Sequence, residues 1–292
     1  MTVPAVSIVL PCYDEADRLP GTLARFLAHY PPDRADVELV IVDDGSTDDT
    51  SAVADQAAAG DPRVRVVHSV GRNHGKGYAV RTGMLAAQGE LVVFTDADGS
   101  YGPDQVDRVV DALGHAPVAI GARLGAETAT GPRLRRMASR VFNRAMRLGL
   151  GLPFHDTQCG LKGFRKPAAD AVFRRARVDG FAFDAEALLL ADRLGLEIVE
   201  VPVVAEERSG SKVRLVGDAV RMLADVWKVR RAAAAGAYDE ETPVRDPAGF
   251  SEASASGAGR APTGSSSVSS ATEPSPIDRP AARSGDTNTH RL

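Results

Sequence analysis

The sequence predicts an α/β fold built around a mostly parallel sheet, and three observations support this prediction. Short apolar runs bounded by turn residues alternate with longer helical patterns up to about residue 121. Two of the apolar runs lead directly into acidic loops, at Asp43-Asp44 and at Asp96-Ala97-Asp98. Hydrophobic residues make up 43% of the 292 residues, which is ample for the core of one large domain or two small ones.

The predicted elements follow one another as strand and helix units. Five short apolar runs are expected to be strands, at residues 6–10, 37–42, 64–68, 91–95 and 118–121. Helices are expected at residues 22–29, 50–58, 77–88 and 103–113, where Pro103 suits a first helical turn. A further amphipathic helix is expected at residues 213–235. From residue 237 onward Ser, Gly, Pro and Ala dominate, so this tail is expected to be disordered.

The acidic pair after the fourth strand suggests a metal and phosphate site. Side chains alternate along an extended segment, so Asp96 and Asp98 point the same way, and such oxygen ligands suit Mg²⁺ or Mn²⁺ bound to phosphate oxygens. An acidic pair after a strand is also a common turn former. Asp43-Asp44 ends the second strand in the same way, and in open α/β sheets ligands bind at the carboxyl ends of the strands.

The composition excludes several classes of protein. A net charge of −4 with 25% charged residues gives no general nucleic-acid signature. Two cysteines, Cys12 and Cys159, argue against a disulfide framework and for a reducing compartment. No stretch approaches the roughly 20 apolar residues of a membrane span, and the first residues lack a signal-peptide layout. The expected location is cytoplasmic, peripheral on the cytoplasmic face of a membrane.

Seven short motifs, taken in order, resemble glycosyltransferase family 2, whose members have the GT-A fold. They are Pro11-Cys-Tyr-Asp-Glu15, Val42-Asp-Asp-Gly-Ser46, Gly75-Lys-Gly77, Asp96-Ala-Asp98, Gly121-Ala-Arg123, Asp156-Thr-Gln-Cys-Gly160 and Gly210-Ser-Lys212. The resemblance covers about residues 6 to 230. The run from Asp156 to Phe164, followed by Phe181-Ala-Phe-Asp-Ala-Glu186, is most similar to the dolichyl-phosphate β-glucosyltransferase branch, with polyprenyl-phosphate mannose synthases as close relatives.

The resemblance implies a nucleotide-sugar donor site with Mg²⁺ or Mn²⁺ at Asp96 and Asp98. The other expected donor contacts are Pro11, Tyr13, Glu15, Val42, Asp44, Lys76, Ala97, Arg123, Arg208 and Lys212. The first five of these surround the base and ribose in the family, and the last two belong to a loop that closes over the donor phosphates. Ordinary structural roles remain open: a tight turn for Asp44, a flexible surface loop for Lys76 and a surface position for Arg123.

Two residues carry the expected catalytic roles, Asp156 on the acceptor side and Asp98 at the metal. In related enzymes the position of Asp156 is discussed as a base. A polyprenyl monophosphate has a second pKa of about 6, so at neutral pH it already lacks most of its protons. Asp156 therefore acts either as a base or only as a group that positions the acceptor or a basic residue. Asp184 and Glu186 lie two residues apart at a helix start, so they face different sides of the helix. For Asp184, the role of an N-cap is as well supported as a role in the site.

A one-signed basic stripe suggests an anionic partner on the acceptor side. Its members recur at intervals of three or four residues on an expected helix and are Arg133, Arg136, Arg140, Arg144 and Arg147. A solvated helix face is the alternative to a bilayer surface or a lipid phosphate. In the later amphipathic segment, Trp227 beside Lys228 and Arg230 is a residue set typical of a bilayer interface.

These inferences predict an inverting glycosyltransferase that moves a hexose, with glucose from UDP-glucose favoured, onto a polyprenyl or dolichyl phosphate. The GT-A domain is expected at residues 1–236, with a donor half at about 1–122 and an acceptor half at about 123–236, followed by the tail at 237–292. The resemblance leaves a membrane-anchoring protein partner open.

Several alternatives remain. The enzyme could use GDP-mannose, or it could act on a soluble acceptor. A non-enzymatic nucleotide-sugar sensor would keep the donor pocket without transfer. A sugar-phosphate nucleotidyltransferase is disfavoured, because Pro-Cys-Tyr-Asp-Glu stands where those enzymes usually carry a Gly-rich loop after the first strand.

Overall fold

The computed structural model describes residues 4–33, 36–123, 151–206 and 215–239, with side chains from residue 225 onward in the last range. The strands in these ranges are β1 (Val6–Cys12), β2 (Val37–Asp43), β3 (Val64–His68), β4 (Leu91–Thr95), β5 (Val118–Arg123), β6 (Leu161–Arg165) and β7 (Ile198–Val203). The helices are α1 (Leu19–His29), α2 (Thr50–Gly60), α3 (Lys76–Ala86), α4 (Pro103–Leu113), α5 (Lys166–Phe173), α6 (Phe183–Arg193) and α7 (Leu215–Ala234).

The strands form one sheet in the order β3-β2-β1-β4-β6-β5-β7. β6 runs antiparallel to β4 and β5, and the other neighbouring strands are parallel. The register sets Leu161, at the start of β6, opposite Thr95, at the end of β4. The chain therefore enters β6 at the same edge at which the parallel strands end.

Two apolar cores lie on the two faces of this sheet. Because side chains alternate along a strand, Val9 of β1 joins the core beneath α3, α5, α6 and α7, whereas its neighbours Ile8 and Leu10 join the core beneath α1, α2 and α4. Helix α3 lies especially close to the sheet: a Cβ on Gly83 would come within 2.3 Å of Val9 Cγ1. The helices hold the strand ends, and thereby the loops that follow them, in fixed positions.

The predicted α/β fold with a mostly parallel sheet is confirmed, and the five predicted strands match β1 to β5. The observed strands extend up to two residues further, as at Cys12 and Arg123. Sequence patterning did not find β6 or β7. Lys162 and Gly163 interrupt the apolar run of β6, and Glu200 and Pro202 interrupt that of β7, so neither has the pattern of a buried strand.

The folded part of the chain reaches beyond the predicted boundary at residue 236. Tyr238 is buried at 5% exposure, and its hydroxyl donates a hydrogen bond to Glu186 Oε1 at 2.7 Å. The remainder of the predicted tail, residues 240–292, lies outside the described residues. Within the part of the chain that the structure describes, no helix has the length and apolar character needed to cross a membrane. Cys12 and Cys159 are both buried and free.

Candidate active site

The candidate site lies at the edge of the sheet where the parallel strands end. β4 delivers Asp96 and Asp98 there, β5 delivers Arg123, and the segment Asp156–Gly160 crosses the edge before β6 begins. The sequence predicted ligand-binding loops after β2 and β4. The antiparallel β6 adds the Asp156 segment to them, because it starts where its neighbours end.

The loop that carries Asp96 and Asp98 is fixed by contacts from α1 and from its own backbone. Thr22 Oγ1 donates to the carbonyl of Ala97 at 2.8 Å, and the Asp98 carboxylate accepts the Ser100 N–H at 2.9 Å. The side chain of Ala97 is buried in the core. The two carboxylates are partly exposed, so both can reach a ligand in the crevice.

Gly160 gives the Asp96 carboxylate the space that it occupies. A Cβ at position 160 would lie 2.2 Å from Asp96 Oδ2 and 2.8 Å from its Cγ, far closer than any real contact. The segment from Asp156 to Gly160 therefore contacts the loop of Asp96 and Asp98 at one end. At its other end it carries the carboxylate that binds Arg123.

Lys76 forms an ion pair with Asp96, with Nζ 2.5 Å from Oδ1. Burial alone would lower the pKa of Lys76, but the carboxylates of Asp96, Asp184 and Asp98 outweigh it and raise the pKa above its usual value. Lys76 is therefore a charged ammonium within the site. A flexible surface loop, the alternative role of this segment, is not observed, since a Cβ on Gly75 or Gly77 would lie 2.4 Å from a backbone oxygen in residues 178–179.

Three backbone amides at and just before the start of α3 are paired within the protein rather than turned to the crevice. The N–H groups of Gly77 and Tyr78 both donate to the carbonyl of Asp179, and the N–H of Gly75 donates to Asp44 Oδ2 at 2.7 Å. These amides at the start of α3 are already paired within the protein. Lys76 thus offers its side chain, rather than the helix terminus, to the crevice.

Asp44 lies behind the crevice and holds the loop before α3. Its side chain is only 2% exposed, and it accepts hydrogen bonds from the N–H groups of His74 and Gly75 while His74 Nδ1 lies 3.0 Å from its other oxygen. The His74 ring stacks on Tyr78, with 4.4 Å between ring centroids. A direct donor contact by Asp44 stays a prediction. The contacts seen here position the loop that carries Lys76.

The residues expected around the base differ in their exposure. Tyr13 is 37% exposed, whereas the side chain of Val42 is fully buried in the core and cannot touch a ligand. Pro11 lies within β1 opposite Val42, and the donor roles of Pro11, Tyr13 and Glu15 stay predictions.

The loop after β1 is clamped to the loop after β2, which steadies the position of Tyr13. The backbone N–H of Glu15 donates to Thr50 Oγ1 at 2.8 Å, and Thr47 N–H donates to Asp14 Oδ1 at 2.8 Å. Asp14 has a φ of +52°, a conformation that non-glycine residues rarely adopt. Two strand-end loops are thus held as one unit next to the crevice.

Arg123 and Asp156 form a bidentate ion pair. Arg123 Nε donates to Oδ2 of Asp156 at 2.6 Å, Nη2 donates to Oδ1 at 3.0 Å, and the Arg123 backbone N–H lies 3.4 Å from Oδ2. Burial would raise the pKa of Asp156, but the Arg123 guanidinium lowers it below its usual range. Asp156 is consequently held in its ionised form, and its role as a base or as a positioning residue stays a prediction.

Sequence reasoning missed a second lysine behind the site. Lys162 is fully buried on β6, where its Nζ lies 2.5 Å from Asp184 Oδ1 and donates to the carbonyl of Cys159 at 2.6 Å. Asp184 is therefore the partner of a buried cation, not the N-cap of α6, which is Ala182. A charged residue between Leu161 and Gly163 in an otherwise buried run was the signal that could have revealed it.

Several predicted site residues lie outside the described residues. These are Arg133, Arg136, Arg140, Arg144, Arg147, Arg208 and Lys212. Before the last two, the described chain ends at Glu206, which is bound to the loop that follows β4. The N–H of Glu206 donates to the carbonyl of Ser100 at 2.8 Å, and Arg25 forms an ion pair with the Glu206 carboxylate at 2.6 Å.

The sequence profile described as glycosyl transferase family 2 matches residues 7–173. The chain belongs to this family. A dolichyl-phosphate beta-glucosyltransferase of Drosophila melanogaster is 35% identical over 241 residues, covering 77% of this chain and 74% of that protein. The polyprenol monophosphomannose synthase of Mycolicibacterium smegmatis is 33% identical, covering 73% of this chain and 82% of that protein. The glycosyltransferase AglD of Haloferax volcanii is 34% identical over 74% of this chain, which spans only 35% of AglD.

Solved structures show the same fold for this glycosyltransferase. Glucosyl-3-phosphoglycerate synthase from Mycobacterium tuberculosis, crystallised with Mn²⁺, UDP-glucose and phosphoglyceric acid, superimposes with a TM-score of 0.58. The match covers 77% of this chain and 79% of that chain, at 23% sequence identity. The predicted GT-A fold, its family 2 membership and its resemblance to the dolichyl-phosphate glucosyltransferase branch are thereby confirmed.

The residues at the end of β4 fit a divalent cation that also binds a diphosphate. Among the described residues there is no cluster of three or more His, Cys, Asp or Glu able to enclose a metal ion. Asp96 and Asp98 provide two carboxylates, and Gly160 leaves room for one of them at the crevice. Mg²⁺ and related hard cations are commonly held by one or two carboxylates with the remaining positions taken by water and substrate phosphates.

Proposed function

We propose that this family 2 glycosyltransferase transfers a hexose from a nucleoside-diphosphate sugar to a polyprenyl phosphate, with glucose from UDP-glucose as the favoured donor. The dolichyl-phosphate beta-glucosyltransferases and the polyprenol monophosphomannose synthase among its relatives support this reaction. The Drosophila protein is 35% identical to this chain and the mycobacterial mannose synthase is 33% identical, and this difference is too small to decide which sugar is transferred. The choice of glucose rests on the motif that runs from Asp156 to Phe164.

The observation that carries the proposal is the meeting of two cation and carboxylate pairs at one edge of the sheet. Lys76 with Asp96 marks the donor side, and Arg123 with Asp156 marks the other side. The five residues from Asp156 to Gly160 join them. Both reactants of the proposed transfer are anions, so a site that brings them together requires fixed positive charge between them.

Asp96 and Asp98 would hold the divalent cation. When bound, the cation supplies positive charge that stabilises the departing nucleoside diphosphate. Lys76 lies beside Asp96 and adds a second positive charge at the donor phosphates. The fold of the synthase crystallised with Mn²⁺ and UDP-glucose is compatible with such a site at the end of β4.

The proposed chemistry needs no general base. One oxygen of the lipid phosphate forms a bond to the anomeric carbon while the bond from that carbon to the nucleoside diphosphate breaks, which inverts the configuration. The acceptor has a second pKa of about 6 and is largely a dianion at neutral pH, so no proton has to be removed. Asp156 then serves as a positioning residue: it orients Arg123, whose side chain remains 38% exposed and is free to face an anionic reactant.

We further propose that the enzyme reaches its lipid acceptor by peripheral contact with an anionic bilayer through α7. Val226 and Val229 are buried against the core, whereas Trp227 is 72% exposed and Lys228 and Arg230 are exposed beside it. A Trp flanked by cations on the outer face of an amphipathic helix is a common interfacial arrangement. The Arg133 to Arg147 stripe, which lies outside the described residues, is proposed to bind the same anionic bilayer.

A transfer assay with two labelled donors tests the reaction. Radiolabelled UDP-glucose and GDP-mannose are each offered to the full chain with undecaprenyl phosphate in detergent and Mn²⁺, and label is counted in the lipid phase. Label from UDP-glucose alone is expected, and Asp98→Asn is expected to lower transfer by roughly 10²-fold or more, because charge on the leaving group is no longer offset.

The outcomes separate the alternatives. Label from GDP-mannose alone would show that the transferred sugar is mannose rather than glucose, while the transfer to a lipid phosphate would stand. Donor hydrolysis or binding without any label in lipid would overturn the lipid acceptor, and phosphoglyceric acid would then be offered as a soluble acceptor.

Sedimentation with phosphatidylglycerol vesicles tests the membrane contact: Trp227→Ser should reduce binding, whereas Val70→Ser, which removes another exposed apolar side chain, should not. Equal binding by both variants would contradict it.

A further inference from the structure

The carboxylate best placed to bind a metal already has a positively charged partner. Lys76 Nζ lies 2.5 Å from Asp96 Oδ1, and the other Asp96 oxygen lies over Gly160. A divalent cation is held by carboxylate oxygens at about 2.0 to 2.2 Å, so it competes with the ammonium for the same lone pairs. Two cations in contact with one carboxylate would also repel each other.

The second carboxylate that acts on Lys76 already has a lysine partner. Asp184 acts on Lys76 electrostatically and contributes, after Asp96, to the raised pKa of that lysine. The Asp184 side chain is held in place, because Nζ of the fully buried Lys162 lies 2.5 Å from Asp184 Oδ1. Lys162 also donates a hydrogen bond to the carbonyl of Cys159. Lys76 therefore needs a new anionic partner when it leaves Asp96.

We propose that Lys76 is a resident counter-ion of Asp96 that must be displaced for the divalent cation to bind. This inference rests on the proposed metal site at Asp96 and Asp98. The displaced ammonium is then taken up by the donor diphosphate, which replaces the negative charge that Lys76 loses at Asp96. Cation and donor consequently bind cooperatively: each removes an obstacle to the other, and the cation alone binds weakly.

Direct binding of Mn²⁺ tests the competition without any measurement of transfer. Free Mn²⁺ is followed by electron paramagnetic resonance during titration of the full chain, with and without UDP, and with GDP in a parallel series. Lys76→Met keeps the length of the side chain and removes its charge. Without nucleotide, this variant is expected to bind Mn²⁺ about 10-fold more tightly than the natural protein, and to lose most of the enhancement that the nucleotide produces.

A matched variant separates displacement from a general change in charge. Arg81 lies five residues further along α3 and pairs with Asp179 at 2.7 Å, so Arg81→Met removes one positive charge from the same helix without touching Asp96. Its Mn²⁺ affinity is expected to stay within about twofold of the natural protein. Thermal unfolding of each variant checks that both are folded.

Each remaining result overturns the inference in a recognisable way. Equal Mn²⁺ affinities for the natural protein and Lys76→Met would show that the lysine does not compete. Equal increases in Lys76→Met and Arg81→Met would show a general charge effect. No Mn²⁺ binding by any variant would overturn the metal site itself, and the transfer assay would still report separately whether a hexose moves to lipid.

Discussion

The two ion pairs at the edge of the sheet hold their carboxylates in different ways. Asp96 meets Lys76 through one contact of 2.5 Å, whereas Asp156 accepts two hydrogen bonds from the Arg123 guanidinium and lies near its backbone N–H. A guanidinium occupies both oxygens of a carboxylate in a fixed plane, while an ammonium is a mobile point charge. Asp96 is thus able to exchange its partner, and Asp156 is built to keep it.

The two carboxylates differ in burial in the same sense, whereas their cations do not. The Asp96 side chain is 28% exposed and the Asp156 side chain is 8% exposed, while Lys76 is 25% exposed and Arg123 is 38% exposed. A carboxylate that water can reach gains little stability from its ion pair and is easily bound by a ligand. A buried carboxylate is costly to leave without its partner. This difference indicates that Asp96 is arranged to exchange its cationic partner, whereas the pair of Arg123 and Asp156 is arranged to keep a fixed geometry.

The largest effect is expected from Gly160→Ala, which removes the space that Asp96 needs for exchange. The new Cβ would lie 2.2 Å from Asp96 Oδ2, so the carboxylate must rotate away from its present place. A misplaced group of this kind costs roughly 10²-fold in transfer rate. Stability should change little, since the displaced atoms are the end of a partly exposed side chain. Transfer assays and urea denaturation measure the two quantities.

The matched control for this change is Gly180→Ala. A Cβ at Gly180 meets nothing within 4 Å, so transfer should remain within about twofold of the natural protein. If Gly160→Ala retained full transfer and Mn²⁺ affinity, the close approach of Gly160 would not define the position of Asp96.

The parts of this site that sequence could predict are those set by one strand at a time. The contiguous apolar runs of β1 to β5 predict the sheet, and Asp96 and Asp98 are found as the carboxylates that follow the end of β4. Arg123 follows from the end of β5 in the same way. These features depend on neighbours in sequence, and pattern alone is enough to find them.

The parts that sequence could not predict depend on contacts between distant segments. The amides of Gly77 and Tyr78 look available at a helix start, but the carbonyl of Asp179, about 100 residues later, takes both. Lys162 breaks the apolar pattern of β6, and its partner Asp184 lies 22 residues away on α6. No local pattern shows that such groups are paired, because the pairing arises only when α3, α6 and β6 pack together.

A smaller effect is expected when the arginine of one pair is replaced by lysine and the lysine of the other pair by arginine. Arg123→Lys loses the bidentate contact and leaves the buried Asp156 poorly paired, so the free energy of unfolding should fall by about 1 to 2 kcal/mol. Lys76→Arg keeps a charge beside a more exposed carboxylate and should change it by less than about 0.5 kcal/mol. Urea denaturation at pH 7 measures both values. Equal losses in the two variants would contradict the division into exchangeable and fixed pairs.

The smallest effect is a dependence of stability on pH that belongs to Asp156. Arg123 lowers the pKa of Asp156 in the folded protein, whereas an unfolded Asp titrates at about 3.9. Between these values the unfolded state binds the additional proton, so the stabilisation is complete above about pH 5 and is lost as the pH falls through the lowered folded-state pKa. The difference in unfolding free energy between the natural protein and Asp156→Asn should be constant from about pH 5 to 8 and shrink below about pH 4.

The pair as a whole, rather than the carboxylate by itself, must produce this behaviour. With Arg123→Gln as the background, the main group that lowers the pKa of Asp156 is gone and only the weaker effects of Lys162 and of the backbone N–H of residue 123 remain, so adding Asp156→Asn should give a difference that shrinks much less on acidification. Urea denaturation of the four proteins across this pH range completes the cycle. If the difference shrank equally in the Arg123→Gln background, the lowered pKa would come from another group, and Asp156 would not be the residue that fixes Arg123 in the site.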